Sequence, residues 1–474
     1  MENIDVEGHF WPVGHPENQV AGRLRFDERR GVELDLIGSF HSFEEMFAEE
    51  SAKEHRILGL IDGGKYVTLE RCFQTNSRLE GFSDVRRQSF SAQHLLHGAH
   101  FEPDEPAEFT SITVDTDYLS HWVQRSEIRT EIDPSVPGSR SIRLDLSVPE
   151  KESFDLNLGT LSLGFHWKTE GDRRASMKLS HGCIFTREFD SVTPLRDVLR
   201  FGRAIQDLVT IGTDVPVLQS SVELKHPDIA HTFEDGTRTY LPIRFFAQPS
   251  AKIERSPKPP DARRMIFSYD QIGGIKGVAE WLSVRDRYRQ VLGTLLSFRY
   301  SPMYMENKFQ NCLQAAETFH RIRFSNELEP KADFKSRKRK VVSYIPLRTQ
   351  REWVKKSLEY ANEPRLRQRL EEMVAFADPP FSSLVGDPAA WAKRVTDQRN
   401  TLVHLDPRRS GADVEGGTLY FLAESAYFLV VLCLLRECGV PDDTIRQIEK
   451  NERFQFIAEH VKDELSKPAV RRNS

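Results

Sequence analysis

Cysteine is scarce in this chain, with five copies among 474 residues. Their number is odd, they are scattered, and no two form a CxxC pair, so we expect neither a disulfide framework nor a structural zinc site. Thiols of this kind fit a reducing compartment, and we predict a cytoplasmic protein. The five are Cys72, Cys183, Cys312, Cys433 and Cys438.

Signature motifs of several enzyme classes are also missing. The sequence has no GxxxxGK[ST] and no HExxH element, which argues against P-loop nucleotide hydrolysis and zinc-protease chemistry. His94, His97 and His100 stand three residues apart in HLLHGAH. A zinc site would need a fourth ligand, and this stretch leads into strand-like sequence. We therefore predict no metal and no other cofactor.

Long hydrophobic runs are rare, and the first residues, MENIDVEGHFWPVG, have neither the basic start nor the apolar core of a signal peptide. One segment, LYFLAESAYFLVVLCLL at 419–435, requires a membrane test. It is about 17 residues long and contains Glu424, whereas a spanning helix needs about 20 apolar residues. We predict a buried helix, in a bundle or at a subunit interface, and no membrane association.

Net positive charge is lacking too, since the formal net charge is −5. Any contact with nucleic acid must then come from a local basic patch. One such patch is KSRKRK, which we place in a loop after the second helix of the helical half. Its side chains could bind the phosphates of an RNA backbone. The alternative is a loop whose charges are only solvated. The candidate RNA-binding residues are Lys335, Arg337, Lys338, Arg339 and Lys340.

The first half of the chain does contain an alternation of apolar and polar residues. GRLRF (22–26) and VELDL (32–36) alternate on either side of a turn at 27–31, which predicts a β-hairpin. Two helices, near 42–50 and 194–210, interrupt the strand pattern. Further strand-like runs are 66–73, 109–114, 142–148, 154–163, 177–185 and 217–224.

A charged, proline-rich stretch at 248–262, QPSAKIERSPKPPDA, predicts a linker. Beyond it the apolar residues recur at helical spacing. We therefore predict an α+β fold class, with a mainly β, sandwich-like domain over 1–247 and an all-α bundle over 263–474. The helix candidates in the second half are 275–299, 305–324, 349–376, 388–405, 417–437 and 441–465.

The segment VTDQRNTLVHLDP (395–407) carries the candidate chemistry. On a helix, Asn400 and His404 share a face. Asp397 lies on that face as a possible supporting residue, and Arg399 is about 100° around the axis. Histidine is the base best suited to take a proton from a 2′-OH near neutral pH, and a guanidinium stabilises charge on phosphoryl oxygens. Asn400 supplies an amide that can orient the imidazole or bond the phosphate. Arg399, Asn400 and His404 together therefore suit RNA cleavage without a metal.

Spacing alone does not select this site, because about one Arg-x4-His pair is expected by chance in a chain of this length. The alternative is a purely structural role, in which the helix end is capped, the histidine has a hydrogen-bond partner and the arginine lies on the surface. Helical context and the adjacent Asn400 favour Arg399 and His404 over pairs with a looser x6 spacing. Those pairs are Arg87/His94, Arg174/His181 and Arg453/His460.

Several segments follow a family pattern. They are MIFSYDQI (265–272), SPMYMENKFQNCLQAAETFHR (301–321), LRQRLEEMV (366–374) and VTDQRNTLVH (395–404) in the second half, and GHFWPVG (8–14), GRLRF…VELDLIGSF (22–40), ILGLIDGGKYVTLERC (57–72) and GAHF (98–101) in the first. On these residues the second half resembles the HEPN domain of ApeA-like proteins from bacterial anti-phage defence, including Glu317 and His320 of its second helix. The first half is similar to the ApeA N-terminal β domain.

This resemblance implies a metal-independent endoribonuclease of abortive infection that cuts host RNA, either tRNA or another species, and leaves a 2′,3′-cyclic phosphate. It implies a homodimer or higher homo-oligomer formed through the HEPN domain, with Arg399, Asn400 and His404 of two copies in one cleft. The β domain would sense a phage-derived trigger or restrain the nuclease. The alternatives are a non-catalytic HEPN regulator that binds RNA or protein, and a sensor of a phage protein.

Overall fold

The structure is a computed structural model that divides into two compact units. One unit comprises Met1–Thr210 with Val215–Pro260, and the other comprises Ile211–Asp214 with Asp261–Ser474. The domain boundaries predicted from the sequence stay a prediction, since much of the linker, 248–257, lies outside the described residues. The described residues are 2–40, 56–79, 86–103, 105–133, 141–172, 174–247, 258–403 and 416–467.

The first unit is mainly β. Its strands are β1 (Ile4–Pro12), β2 (Val20–Asp27), β3 (Gly31–Leu36), β4 (Arg56–Ile61), β5 (Lys65–Leu79), β6 (Arg86–His97), β7 (Glu108–Thr116), β8 (Ile128–Asp133), β9 (Ser141–Leu146), β10 (Glu152–Leu156), β11 (Gly159–Glu170), β12 (Lys178–Pro194), β13 (Gln219–Lys225), β14 (Ala230–Thr232), β15 (Arg238–Tyr240) and β16 (Ile243–Ala247). Two helices accompany them, α1 (Leu119–Val123) and α2 (Leu195–Thr213), of which the last three residues belong to the second unit. The predicted helix near 194–210 is confirmed as α2, and the one near 42–50 lies outside the described residues.

Twelve of these strands belong to one antiparallel sheet in the order β10-β11-β12-β7-β13-β16-β6-β3-β2-β1-β4-β5. Because β5 also pairs with β6, the six strands from β6 to β5 close into a barrel. The first part of β6 pairs with β3 and its last residues pair with β16, so the sheet continues from the barrel towards β10. The predicted α+β class is confirmed, but the β part is a barrel with an extended sheet instead of two packed sheets.

The barrel interior follows from the alternation in the sequence. Leu24 and Phe26 of β2 are buried, and so are Val32, Leu34 and Leu36 of β3, while the residues between them face outward. This period of two is what a half-buried strand requires. The predicted hairpin of β2 and β3 is therefore confirmed. Further apolar side chains of the same core are Ile4, Phe10, Ile57, Ile61, Val67, Leu69, Phe90, Leu95 and Phe246.

One strand prediction is wrong. The run predicted as one strand over 154–163 is a hairpin of β10 and β11, with Leu156 opposite Gly159. Gly159 has φ of +111°, a left-handed conformation that favours glycine and turns the chain. The alternating pattern continues on both sides of this turn, which is why the sequence pattern did not reveal the break.

The second unit is helical. Its helices are α3 (Gly274–Arg287), α4 (Arg289–Leu295), α5 (Ser297–Tyr300), α6 (Met305–Arg323), α7 (Lys331–Ser343), α8 (Arg348–Ser357), α9 (Leu366–Ala377), α10 (Pro380–Val385), α11 (Pro388–Val403), α12 (Gly416–Glu437), α13 (Asp442–Gln447) and α14 (Glu452–Ser466). The single helix predicted over 349–376 is wrong. Pro364 stands between α8 and α9, and proline lacks the N–H that a continuing helix needs.

The apolar segment at 419–435 lies in α12. This helix has the length and hydropathy of a membrane span, but most of it is buried inside the protein. It packs against α6, α9, α10 and α14. The prediction of a buried helix is thus confirmed, and of the two settings left open the helical bundle is the one observed.

A cluster of charges surrounds the one carboxylate within the apolar part of α12. Glu424 is 0% exposed. It accepts hydrogen bonds from Lys308, from Arg453 Nη2 at 2.5 Å and from Arg299 Nη2 at 3.4 Å. Asp214, the last residue of the short segment in this unit, pairs with Arg299 at 2.5 Å and with Arg453. The cluster therefore links α5, α6, α12, α14 and the 211–214 segment.

Opposing effects set the protonation of Glu424. Burial raises the pKa of its carboxyl, but the attraction of Arg299, Arg453 and Lys308 outweighs burial and lowers the pKa to about 2. The carboxylate is therefore ionised at neutral pH. Its removal would leave Lys308 without the carboxylate that compensates its loss of water, and Arg299 and Arg453 would have to share Asp214.

We predict that Glu424→Ala lowers the free energy of unfolding by about 3–5 kcal/mol, the usual cost of breaking a buried ion pair from one side. Urea unfolding at pH 7.5, followed by circular dichroism at 222 nm, measures this loss. Glu459→Ala, at an exposed position of α14, is the matched control and should change stability by less than about 0.5 kcal/mol. A Glu424→Ala protein as stable as the control would contradict the prediction.

Candidate active site at the end of helix α11

The first turns of α11 are anchored in the core. The backbone N–H of Ala390 donates to Asp387 Oδ1 at 3.0 Å, which caps the helix just before Pro388. Trp391 and Val395 are fully buried. The Trp391 indole N–H donates to Ser425 Oγ of α12 at 2.8 Å. These contacts fix the direction in which the rest of α11 runs.

The later turns of α11 carry the predicted site residues. Asp397 and Asn400 are exposed, and Arg399 is half-buried. The Arg399 Nη2 atom lies 3.9 Å from Glu317 Oε1 of α6. Arg399 is thus directed towards α6, while Asp397 and Asn400 lie on the solvent side. His404 lies outside the described residues.

A buried histidine stands one turn after Glu317 on α6. His320 is 0% exposed. Its Nδ1 accepts a hydrogen bond from Arg369 Nη1 at 3.0 Å, and its Nε2 lies 2.6 Å from Glu372 Oε2. Because a guanidinium can only donate, Nδ1 must carry a lone pair and the Nε2–H donates to Glu372. Arg369 also contacts Glu363 at 3.3 Å.

This geometry requires a neutral imidazole. Burial lowers the pKa of His320, and the charges of Arg369 and Arg321 act in the same direction, against the raising effect of Glu372. A proton on Nδ1 would face the Arg369 guanidinium directly. Through His320 and its two α9 partners, α6 and α9 are held together beside the end of α11. The resemblance pointed to Glu317 and His320, and its LRQRLEEMV segment contains Arg369 and Glu372, but nothing in the sequence pattern indicated that these two residues contact His320.

The structure places the basic run 335–340 differently from the sequence prediction. These residues lie within helix α7 and not in a loop. Four of the five cations, all except the half-buried Lys338, are exposed. The prediction of a loop was wrong because α7 buries little of its surface. Such a helix does not need the apolar stripe by which an amphipathic helix is recognised in a sequence.

The looser Arg and His pairs do not form comparable sites. Arg453 is bound to Glu424 and Asp214 in the buried cluster. Arg87 and His94 lie on the strand β6. Among the described residues, no group of three His, Cys, Asp or Glu side chains is arranged to hold a metal ion. The five cysteines are buried free thiols.

We predict that His320→Gln lowers the free energy of unfolding by about 1–3 kcal/mol at pH 7.5, because it removes the Nδ1 acceptor of the buried Arg369 guanidinium and the N–H that Glu372 accepts. The folded pKa of His320 lies below its usual 6.5, so the unfolded chain binds the proton more tightly. The contribution of His320 is therefore full above about pH 6.5 and is lost as pH falls below that value.

Urea unfolding of both proteins at pH 7.5 and pH 5.5 tests this prediction. The stability difference between wild type and His320→Gln should shrink at the lower pH. His9→Gln, at an exposed position, is the control and should show no such trend. A difference that grows on acidification would show that His320 is charged in the folded state.

Two family models match the chain. Residues 5–281, more than half of the sequence, match ApeA N-terminal domain 1, and residues 311–444 match the Apea-like HEPN domain. No curated protein and no solved structure matches the chain. The family resemblance inferred from the sequence is confirmed. The second match includes Glu317, His320, Arg369 and the whole RNTLVH stretch.

Proposed function

We propose an activity for this chain, which belongs to the ApeA family and is a HEPN-type anti-phage defence protein. The proposed activity is that of a metal-independent endoribonuclease, and it resides in the helical unit. The observation that carries the proposal is the Apea-like HEPN match over 311–444, which contains Arg399, Asn400 and His404 in one stretch of sequence. The position of Arg399 and Asn400 at the outer end of an anchored helix supports it.

The proposed reaction is an attack of the RNA 2′-OH on the adjacent phosphodiester. His404 removes the 2′-OH proton as general base, the bond from O2′ to phosphorus forms, and the bond from phosphorus to O5′ breaks. The leaving O5′ takes up a proton. The products are a 2′,3′-cyclic phosphate and a 5′-hydroxyl end, and no divalent cation is required.

Arg399 stabilises the charge that develops on the phosphoryl oxygens. Its distance of 3.9 Å from Glu317, with both side chains partly exposed, makes this a weak ion pair, worth about 0–1 kcal/mol. A bound phosphate, which offers two oxygens to the guanidinium fork, can replace Glu317 at little cost. Asn400 bonds the phosphate or orients the imidazole, and Asp397 supports the imidazole.

The proposal extends to an assembly and a trigger, both of which were implied by the resemblance seen in the sequence. We propose that two copies join through their HEPN domains, as a homodimer or part of a larger homo-oligomer, and that both RNTLVH stretches line one cleft. The β unit senses a phage-derived trigger or restrains the nuclease until infection. The substrate is host RNA, and its cleavage in the cytoplasm stops phage growth.

We predict that His404→Ala and Arg399→Ala abolish both the toxicity of the overexpressed protein and its protection against phage. Loss of a general base costs about 10²–10⁴-fold in rate, and loss of one charge-stabilising donor costs about 10²–10³-fold. Plating efficiency under phage challenge, with viable counts after induction, measures both effects.

Lys393→Ala is the matched control, because Lys393 is an exposed cation on the same helix. It should remain as toxic and as protective as the wild type. Equal toxicity and equal protection in wild type and His404→Ala would instead support a non-catalytic HEPN regulator or a phage-protein sensor. Immunoblots must show equal amounts of the four proteins.

A further inference from the structure

Helices α7 and α8 form a distinct arm of the helical unit. Its base is closed by Asn362, whose carbonyl oxygen accepts from the Leu328 N–H at 2.8 Å. The Asn362 side chain adds two bonds to Glu329, one accepted from the N–H at 3.1 Å and one donated to the carbonyl at 2.9 Å. Along the two helices Val342 is the one buried residue. The arm, residues 330–361, therefore has a fixed base and a mostly exposed surface.

The arm is strongly basic. It contains ten Lys and Arg residues against three Asp and Glu residues, a net charge of +7, in a chain whose net charge is −5. Three of the cations are paired with carboxylates: Arg337 with Glu329, Lys331 with Glu327 and Lys355 with Glu352. The other seven have no ion pair among the described residues. They are Lys335, Lys338, Arg339, Lys340, Arg348, Arg351 and Lys356.

Three large aromatic side chains are exposed on the same arm. Tyr344 is 75% exposed, Trp353 is 69% exposed and Tyr360 is 71% exposed. Two of them have an unpaired cation within one helical turn, since Lys340 precedes Tyr344 by four residues and Lys356 follows Trp353 by three. On a helix such spacing makes two side chains neighbours. Flat rings beside cations thus repeat along the arm.

Rings and cations together match the chemistry of unpaired nucleotides. Lysine and arginine neutralise phosphates of any sequence, while exposed aromatic rings stack on bases whose faces are free. In an A-form duplex the base faces are covered by their neighbours, so the rings would gain nothing from it. A membrane surface would meet one face of a helix, whereas the consecutive cations from Arg337 to Lys340 point to all sides of α7.

We propose that this arm is a docking site for single-stranded RNA, in which Trp353 and Tyr344 stack on unpaired bases and the surrounding cations bind the backbone. The proposal deepens the nuclease function and rests on it for the identity of the nucleic acid. It assigns a substrate class, RNA with an unpaired loop or strand. It also assigns recognition to residues outside the RNTLVH stretch.

The test measures RNA binding separately from RNA cleavage. The full chain carries His404→Ala so that RNA stays intact, and fluorescence anisotropy follows two fluorescein-labelled probes, an unstructured 12-nucleotide RNA and the same strand in a duplex. Trp353→Ala should weaken binding of the single strand by roughly tenfold, given the usual contribution of one stacked base, and leave duplex binding unchanged. Trp353→Phe should restore most of the affinity.

Two further variants complete the design. Replacing Lys335, Arg339 and Lys340 together by Ala should weaken binding of both probes and reduce the slope of log affinity against log salt by about 0.7 per lost phosphate contact on the single strand. Trp167→Ala, which removes a ring that is 59% exposed on β11, should leave both affinities unchanged. Circular dichroism checks that every variant is folded.

Three outcomes would overturn the proposal. Equal loss of single-strand and duplex binding in Trp353→Ala would exclude base stacking, and unchanged binding in all arm variants would exclude the arm as an RNA site. Trp353-dependent binding to vesicles with anionic lipid, without Trp353-dependent RNA binding, would make it a membrane contact. If the protein with His404 intact cuts no RNA while the arm variants lose single-strand binding, the nuclease function fails and the docking site stands.

Discussion

A single buried carboxylate organises the helical unit. Glu424 lies in the middle of the apolar helix α12 and is 0% exposed, a position that is tolerable only with charged partners on several sides. Those partners, Lys308, Arg453 and Arg299, come from three other helices, and Asp214 closes the cluster. The hydrophobic effect has no direction of its own, whereas these ion pairs join particular residues and therefore favour one register of the helices.

Through α6, this register reaches the candidate site. Lys308 near the start of α6 is tied to Glu424, and Glu317 and His320 follow on the same helix. His320 binds α9 through Arg369 and Glu372, while Glu317 lies opposite Arg399. The direction of α11 is thus set by the Trp391 bond to α12, and the weak Glu317 pair orients the Arg399 side chain towards α6. A phosphate-binding arginine gains from being oriented before the substrate arrives.

The sequence revealed features that depend on local periodicity and missed those that depend on distant partners. The hairpin of β2 and β3, helix α12 and the RNTLVH stretch were all visible, because a few neighbouring residues define each of them. Closure of the barrel requires β5 to pair with β6 as well as with β4. An alternating pattern predicts a strand but does not show which strands pair. Arg369 and Glu372 are 49 and 52 residues from His320, so no motif could join them. Helix α7 was hidden because its surface is charged on all sides.

The chemistry of the RNA ends tests the central claim most directly. Purified protein, incubated with RNA in the presence of EDTA, should give fragments whose 3′ ends carry a 2′,3′-cyclic phosphate and whose 5′ ends carry a hydroxyl, as mass spectrometry can resolve. The same preparation of His404→Ala should give none. Fragments with 3′-hydroxyl and 5′-phosphate ends, or cleavage that EDTA abolishes, would contradict a metal-independent attack by the 2′-OH.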